Sequence, residues 1–173
     1  MTSTFAAAAI AIADAGRQIF SRGWVPATSG NFSMRLGDND VAITVSGTEK
    51  GRLQEHDVMQ VDLSGRSSSG KRASAELGLH LQLYRRDPSI GAVLHTHSLN
   101  ATLCSELVGR ECHFAELELL KAFDGISSHE SDVRIPVFDN TQDIDSLAER
   151  VEQHMATSGQ GYGYLIRGHG LYT

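Results

Sequence analysis

The feature that most constrains this chain is the way its hydrophobic period changes along its length. Residues 5 to 22 combine an alanine-rich run with Ile10, Ile12, Ile19 and Phe20 and stop at Arg22-Gly23, which predicts a packed helix with its end signal. From Gly30 to Val61 the texture turns to short β-type runs, Asn31 to Arg35, Val41 to Val45 and Val58 to Val61. They are separated by Gly-Asp-Asn-Asp and Gly-Thr-Glu-Lys-Gly, the spacing of hairpins. Leu63 to Lys71 reads as a polar, mobile loop. A helical period returns at Leu77, Leu79, His80, Leu83 and Tyr84 and is stopped by Asp87-Pro88. Gly91 to Leu94 then forms a short apolar strand running into His95-Thr96-His97, and Ser98 can cap the helix that follows. Ile144, Leu147, Ala148, Val151 and Met155 predict an amphipathic helix opened by Thr141, and Tyr162 to Ile166 a final strand. Without a repeat, a heptad or a linker, residues 1–173 read as one α/β domain with a largely antiparallel or mixed sheet.

Composition narrows the function classes. A chain of 173 residues buries roughly two-thirds of the surface its unfolded form exposes and needs no disulfide staples. Its two cysteines, Cys104 and Cys112, match neither a metal-type C-x-x-C pair nor a secreted framework, so a reducing cytoplasm is expected. The longest apolar stretch, Phe5 to Ala13, is too short to span a bilayer and lacks the basic start of a signal peptide, so no membrane is expected. With a net charge of −6 and scattered cations there is no basic stripe to follow a phosphate backbone, and nucleic acid is not an expected partner.

The eight histidines carry more information. His95 and His97 stand at i and i+2 at the end of a strand, so both imidazoles can project from one face onto one ion. Two hydrogen-bonded or exposed histidines at a strand end fit the same spacing. Gly168-His169-Gly170 adds a third imidazole whose flanking glycines let the backbone approach a crowded site. Three neutral histidines make a zinc site with an open position, although the ligand type also admits Mn²⁺, Co²⁺ or Fe²⁺. His80 reads as a hydrogen-bonded core residue on a helix face, and His56, His113, His129 and His154 lie in polar contexts.

Two strings, Thr28-Ser29-Gly30-Asn31-Phe32-Ser33 and Val45-Ser46-Gly47-Thr48-Glu49-Lys50-Gly51, concentrate glycine with hydroxyl and amide groups. They suit a phosphate with a lysine nearby, and tight hairpin turns equally. Neither is a nucleotide-binding fingerprint. For proton transfer the chain offers Glu76 in Ser74-Ala75-Glu76, and Glu116 and Glu118 ahead of Lys121. A carboxylate in a first helical turn is favoured by the helix dipole whatever its function, and Glu118 also fits the charged face of a short helix.

In this order, Gly30-Asn31-Phe32-Ser33, Ile43-Thr44-Val45-Ser46-Gly47, Ser74-Ala75-Glu76, His95-Thr96-His97 and Gly168-His169-Gly170 resemble the class II aldolase/adducin family from about residue 15 onward. The strings around Lys50, Glu118, Pro136 and Tyr172 are most similar to a dehydratase branch of it. The resemblance implies a three-layer α/β/α fold around a central, mainly antiparallel sheet, and a homotetramer with active sites between adjacent subunits. It implies one Zn²⁺ per subunit on His95, His97 and His169, and a small sugar-phosphate substrate whose phosphate is held by Asn31, Ser46, Gly47 and Ser74, with Gly30 and Lys50 close by. Glu118 becomes the acid/base of the dehydratase. In the related aldolases that role falls at the position of Glu76, so zinc-dependent aldol cleavage is the alternative chemistry, and a non-catalytic adducin-like binding module the alternative class. Relatives continue through a Trp-Gly and a C-terminal helix, whereas this sequence ends three residues beyond Gly170, so that helix is expected to be absent.

Overall fold

The computed structural model describes residues 4–173. Its frame is an eight-stranded sheet in the order β3-β2-β1-β4-β8-β7-β6-β5, formed by Asn31–Arg35 (β1), Asp40–Thr44 (β2), Val58–Asp62 (β3), Ala92–Thr96 (β4), Glu111–Ala115 (β5), Asp132–Phe138 (β6), Tyr164–Ile166 (β7) and Gly170–Tyr172 (β8). Every neighbouring pair is antiparallel except β6 and β7. Four α-helices, Phe5–Ser21 (α1), Leu77–Arg86 (α2), Leu99–Leu107 (α3) and Ile144–Ser158 (α4), cover its two faces.

Side-chain alternation sorts the layers. On one face α2 and α4 bury Leu79, Leu83, Leu147, Val151 and Met155 against Val41, Ile43, Val93, Tyr164 and Tyr172. On the other, α1 packs Ala8, Ala9, Ile12 and Ala13 onto Phe32, Ala42 and Val58, while Ala101 and Cys104 of α3 pack near Val137 and Leu165. The result is the expected α/β/α arrangement. The alanines of α1 let its axis sit close to the sheet, and Thr4 caps it by accepting from the Ala7 amide at 3.3 Å.

Several boundaries differ from the sequence expectation for local reasons. The fourth helix is capped by Asp143, which accepts from the Ser146 amide at 3.0 Å, and not by Thr141, whose hydroxyl accepts from Asp143 N. β4 continues through Thr96, because His95 and Thr96 pair with Tyr172 and Leu171 of β8. β7 begins at Tyr164 and not Tyr162. Leu63 to Lys71 lies outside the helices and strands, with Asp62 accepting from Ser64 and Arg66 at its start. Among the described residues no helix is long and apolar enough to cross a membrane.

Candidate metal centre and adjoining cavity

The middle of the sheet brings four side chains to one point. His95 on β4, His97 just beyond its end, His169 in the β7–β8 turn and Glu76 at the start of α2 each offer a ligand atom, all within 4.8 Å of one another. Two ligands held tetrahedrally at 2.0–2.1 Å from one ion lie about 3.4 Å apart. The carboxylate meets that value: Glu76 Oε2 is 3.3 Å from His95 Nε2 and Oε1 is 3.4 Å from His169 Nε2. The His95 and His97 Nε2 atoms are closer, at 2.8 Å.

Each ligand is fixed by its local backbone. The His97 amide donates to Trp24 O at 2.8 Å, which continues the strand direction and keeps both i and i+2 imidazoles on one face. His169 depends on its neighbours. Gly168 has φ +62 and lies against Glu106, and a Cβ on Gly170 would run into the Thr96 carbonyl, so neither position admits a side chain without rearrangement. α3 holds the same turn: Thr102 donates to His169 O at 3.1 Å and Ser105 accepts from Gly168 N at 3.0 Å.

The electrostatics suit a cation. His95 is fully buried, and Leu171 O lies 3.1 Å from its Nδ1, which places the proton there and leaves the Nε2 lone pair facing the cluster. Burial, then the neighbouring His97 and His169, push its pKa well down. Burial likewise lowers His97 to about 4, helped by His169 and Lys50. Both rings are therefore neutral at physiological pH, the ligating form. Glu76 Oε1, which faces His169 Nε2, is buried without a hydrogen-bond partner, as expected of a group awaiting a ligand. The donor set of three imidazoles and one carboxylate fits a divalent metal.

A cavity of about 390 Å³ opens beside the cluster, lined by both glycine-bearing loops. Gly30, Asn31, Ser46, Gly47, Lys50 and Ser74 all face it, together with Glu76, His97 and His169. Lys50 is buried, and its ammonium donates to Thr28 O at 3.0 Å and Thr48 O at 2.7 Å, so it ties the two loops together. Burial lowers its pKa to about 8, against a smaller opposing effect of Asp57.

Glu118 is elsewhere. It opens a short 3-10 segment, Glu118–Ala122, pairs with Lys121, and lies 3.3 Å from His129 with its side chain 69% exposed. It does not line the cavity.

The sequence reading missed two features. Tyr172 stacks on His95 at 4.1 Å between ring centroids and Tyr164 stacks on Tyr172 at 4.9 Å, backing the cluster with aromatic rings. The signal for both was only the apolar character of the last strands. His80 is the buried, hydrogen-bonded histidine expected; the second feature missed is its link to the metal centre, in which Asn31 Nδ2 donates to Glu76 Oε2 at 2.8 Å while its Oδ1 faces His80 Nε2.

The model of the class II aldolase and adducin N-terminal domain matches residues 10–173. A methylthioribulose-1-phosphate dehydratase of Pseudomonas fluorescens is 54% identical over 164 residues, 94% of this chain and 79% of that protein. One from Methylococcus capsulatus is 50% identical over 169 residues, 98% and 83% of the respective chains. Among solved structures, L-fuculose-1-phosphate aldolase from Thermus thermophilus superposes with a TM-score of 0.73 at 28% identity, covering 95% of this chain and 78% of that one.

Proposed function

The chain belongs to the class II aldolase and adducin family, and from that premise we propose that it removes water from 5-methylthioribulose 1-phosphate to give 2,3-diketo-5-methylthiopentyl 1-phosphate, a step of methionine salvage in the cytoplasm. The observation that carries this reading is the convergence of three imidazoles beside a hydroxyl-, amide- and lysine-lined cavity, in a chain half identical to dehydratases of that name. Residues 1–173 act as one domain.

Zinc is the ion assigned to His95, His97 and His169, and when bound it supplies Lewis acidity toward the substrate's ketone and hydroxyl oxygens. The protein's own groups do the rest. Leu171 O orients His95, and the Gly168 and Gly170 backbone orients His169. The phosphate is assigned to Asn31, Ser46, Gly47 and Ser74, with Gly30 and Lys50 at its side, which anchors C1 and points the carbon chain toward the histidines. Dehydration removes the C3 proton and expels the C4 hydroxyl as water. A carboxylate that takes the first proton can return it to the leaving hydroxyl, and Glu118 is assigned that acid/base role. The enol left behind tautomerises to the diketone, and no redox cofactor is needed.

In its own chain Glu118 stands on the surface and does not line the cavity, so we assign it to the site of a neighbouring copy. The second copy is supported by α3, which exposes Leu99, Leu103 and Leu107 at i, i+4 and i+8, and by Leu117 and Leu119, which flank Glu118 and are themselves exposed. We assign these apolar groups to the contact between subunits of a homotetramer. Glu76, held at the metal centre, favours one second reading, aldol cleavage of a ketose phosphate with Glu76 as acid/base.

Phosphorus NMR of the zinc-loaded protein with 5-methylthioribulose 1-phosphate, beside a chelated control, separates these readings. A diketo or enol phosphate formed only with metal is expected. Dihydroxyacetone phosphate would move the chain to the aldolases, and a folded protein that binds no zinc would leave a non-catalytic module.

A further inference from the structure

A thread of buried polar groups runs through the α2 face of the sheet to the metal centre. Tyr84 Oη lies 2.9 Å from Ser33 Oγ, Ser33 Oγ 2.7 Å from His80 Nδ1, His80 Nε2 2.5 Å from Asn31 Oδ1, and Asn31 Nδ2 2.8 Å from Glu76 Oε2. Ser33, His80, Tyr84 and Asn31 are all buried, so each hydrogen bond excludes water and an unmatched group would carry its full desolvation cost. Hydroxyl, imidazole and hydroxyl at one end of this thread have no part in the proposed reaction.

Its polarity follows from its two ends. At one end a carboxylate oxygen can only accept from Asn31, so the carboxamide presents Nδ2 to Glu76 and Oδ1 to His80. His80 must then carry its proton on Nε2 and accept at Nδ1, which makes Ser33 the donor to it. Ser33 Oγ in turn accepts from the Tyr84 hydroxyl. At the far end the Arg35 guanidinium lies 4.9 Å over the Tyr84 ring, so Tyr84 is itself held from behind. Every donor points toward Glu76. The opposite orientation would set the Asn31 carbonyl against the carboxylate. Burial keeps the His80 ring neutral, with its pKa lowered to about 3.

The geometry points to His80 as a positioning residue for the metal centre: through Asn31 it ties Glu76 Oε2 and leaves Oε1, 3.4 Å from His169 and without a partner, as the carboxylate's one free oxygen. The inference rests on reading Glu76, His95, His97 and His169 as a metal centre. It assigns the helix-borne histidine, which touches no metal ligand's ring nitrogen, the task of choosing which face of the Asn31 amide the centre sees. Outer groups of this kind set ligand orientation and commonly change metal affinity roughly 10–100-fold when removed.

Two measurements test it. Long-range proton–nitrogen correlation of the histidine rings in the metal-free protein identifies the His80 tautomer. A proton on Nε2 is expected, and a proton on Nδ1 would overturn the proposal because it requires the amide to be reversed. The second measurement titrates Co²⁺ and follows its visible absorption. Ser33→Ala removes the donor to Nδ1 and is expected to bind Co²⁺ roughly 10-fold or more weakly with shifted bands. Ser33→Thr, which keeps the hydroxyl, restores both. Tyr84→Phe, which removes only the outermost donor, shifts them less in the same direction. A Ser33→Ala protein with native circular dichroism and wild-type Co²⁺ affinity and spectrum would overturn the assignment. Failure of the underlying reading looks different, since the wild type itself would then bind no Co²⁺ whatever tautomer His80 shows.

Discussion

The metal centre and Glu118 are built in opposite ways. His95 has no exposed surface and the Glu76 side chain is 12% exposed, whereas that of Glu118 is 69% exposed. The first group of side chains is supplied by a strand, a strand end, a glycine-flanked turn and a helix start that sheet register and glycine contacts hold together. The second sits on a five-residue 3-10 segment and pairs with Lys121 and His129, both partly exposed. Surface ion pairs of that kind contribute about 0–1 kcal/mol and fix little. Under the proposed function, one half of the chemistry is pre-organised inside each chain, and the half assigned to Glu118 would acquire its geometry where chains meet.

That contrast can be broken at its strongest point first. His97→Ala removes a ligand from the buried half, and loss of several kcal/mol of charge stabilisation should lower kcat/KM by at least about 10³-fold with loss of bound zinc, read by metal analysis. A mutant with full zinc occupancy would refute the ligand assignment. Glu118→Gln touches only the exposed half. It should lower kcat by about 10²–10⁴-fold while zinc content and melting temperature stay at wild-type values. If turnover survives, proton transfer belongs to another group, with Glu76 the first to test.

Leu103→Glu separates folding from assembly, because Leu103 is 51% exposed on the chain itself. Its effect on the isolated fold should stay within about 0.5 kcal/mol, while sedimentation should show smaller species with activity lost in step. The mildest change concerns Lys50. Replacement by Met should raise KM roughly 10-fold or more at pH 7 through loss of a charge-assisted contact to phosphate, with a smaller effect on kcat. In the wild type KM should rise as pH passes about 8, where buried Lys50 gives up its proton. Stability moves the other way. The folded pKa lies below the ordinary 10.5, so the unfolded chain holds more protons between about 8 and 10.5, and this group makes folding more favourable as pH rises through that window.

How much of this was legible in the sequence follows the same division. β1, β2 and β3 were readable because their apolar runs are bounded by turn residues, and the histidine pair because i and i+2 share a strand face. β6 was hidden by Pro136 and β8 by its three-residue length and leading Gly170, since both break the local signal that sheet pairing overrides. Thr141 looked like a helix cap, yet it lies three residues ahead of the first helical residue, and Asp143, immediately before Ile144, takes that position. Glu76 was ambiguous because a carboxylate at a helix start satisfies the dipole whether or not it faces a ligand. The thread from Tyr84 to Asn31 was invisible: it joins positions 31, 33, 80 and 84 through the packing of α2 on β1, which no local pattern encodes.

The most direct measurement of the claim that each site draws on two chains is activity of hybrid oligomers made by unfolding and reassembling His97→Ala and Glu118→Gln subunits together in equal amounts. Each parent alone should be inactive. If Glu118 serves its neighbour's metal centre, random assembly leaves both intact residues at roughly a quarter of the sites, and about that fraction of wild-type activity should return. Hybrids no more active than their parents would contradict the account, and would place the metal and its acid/base in the same chain.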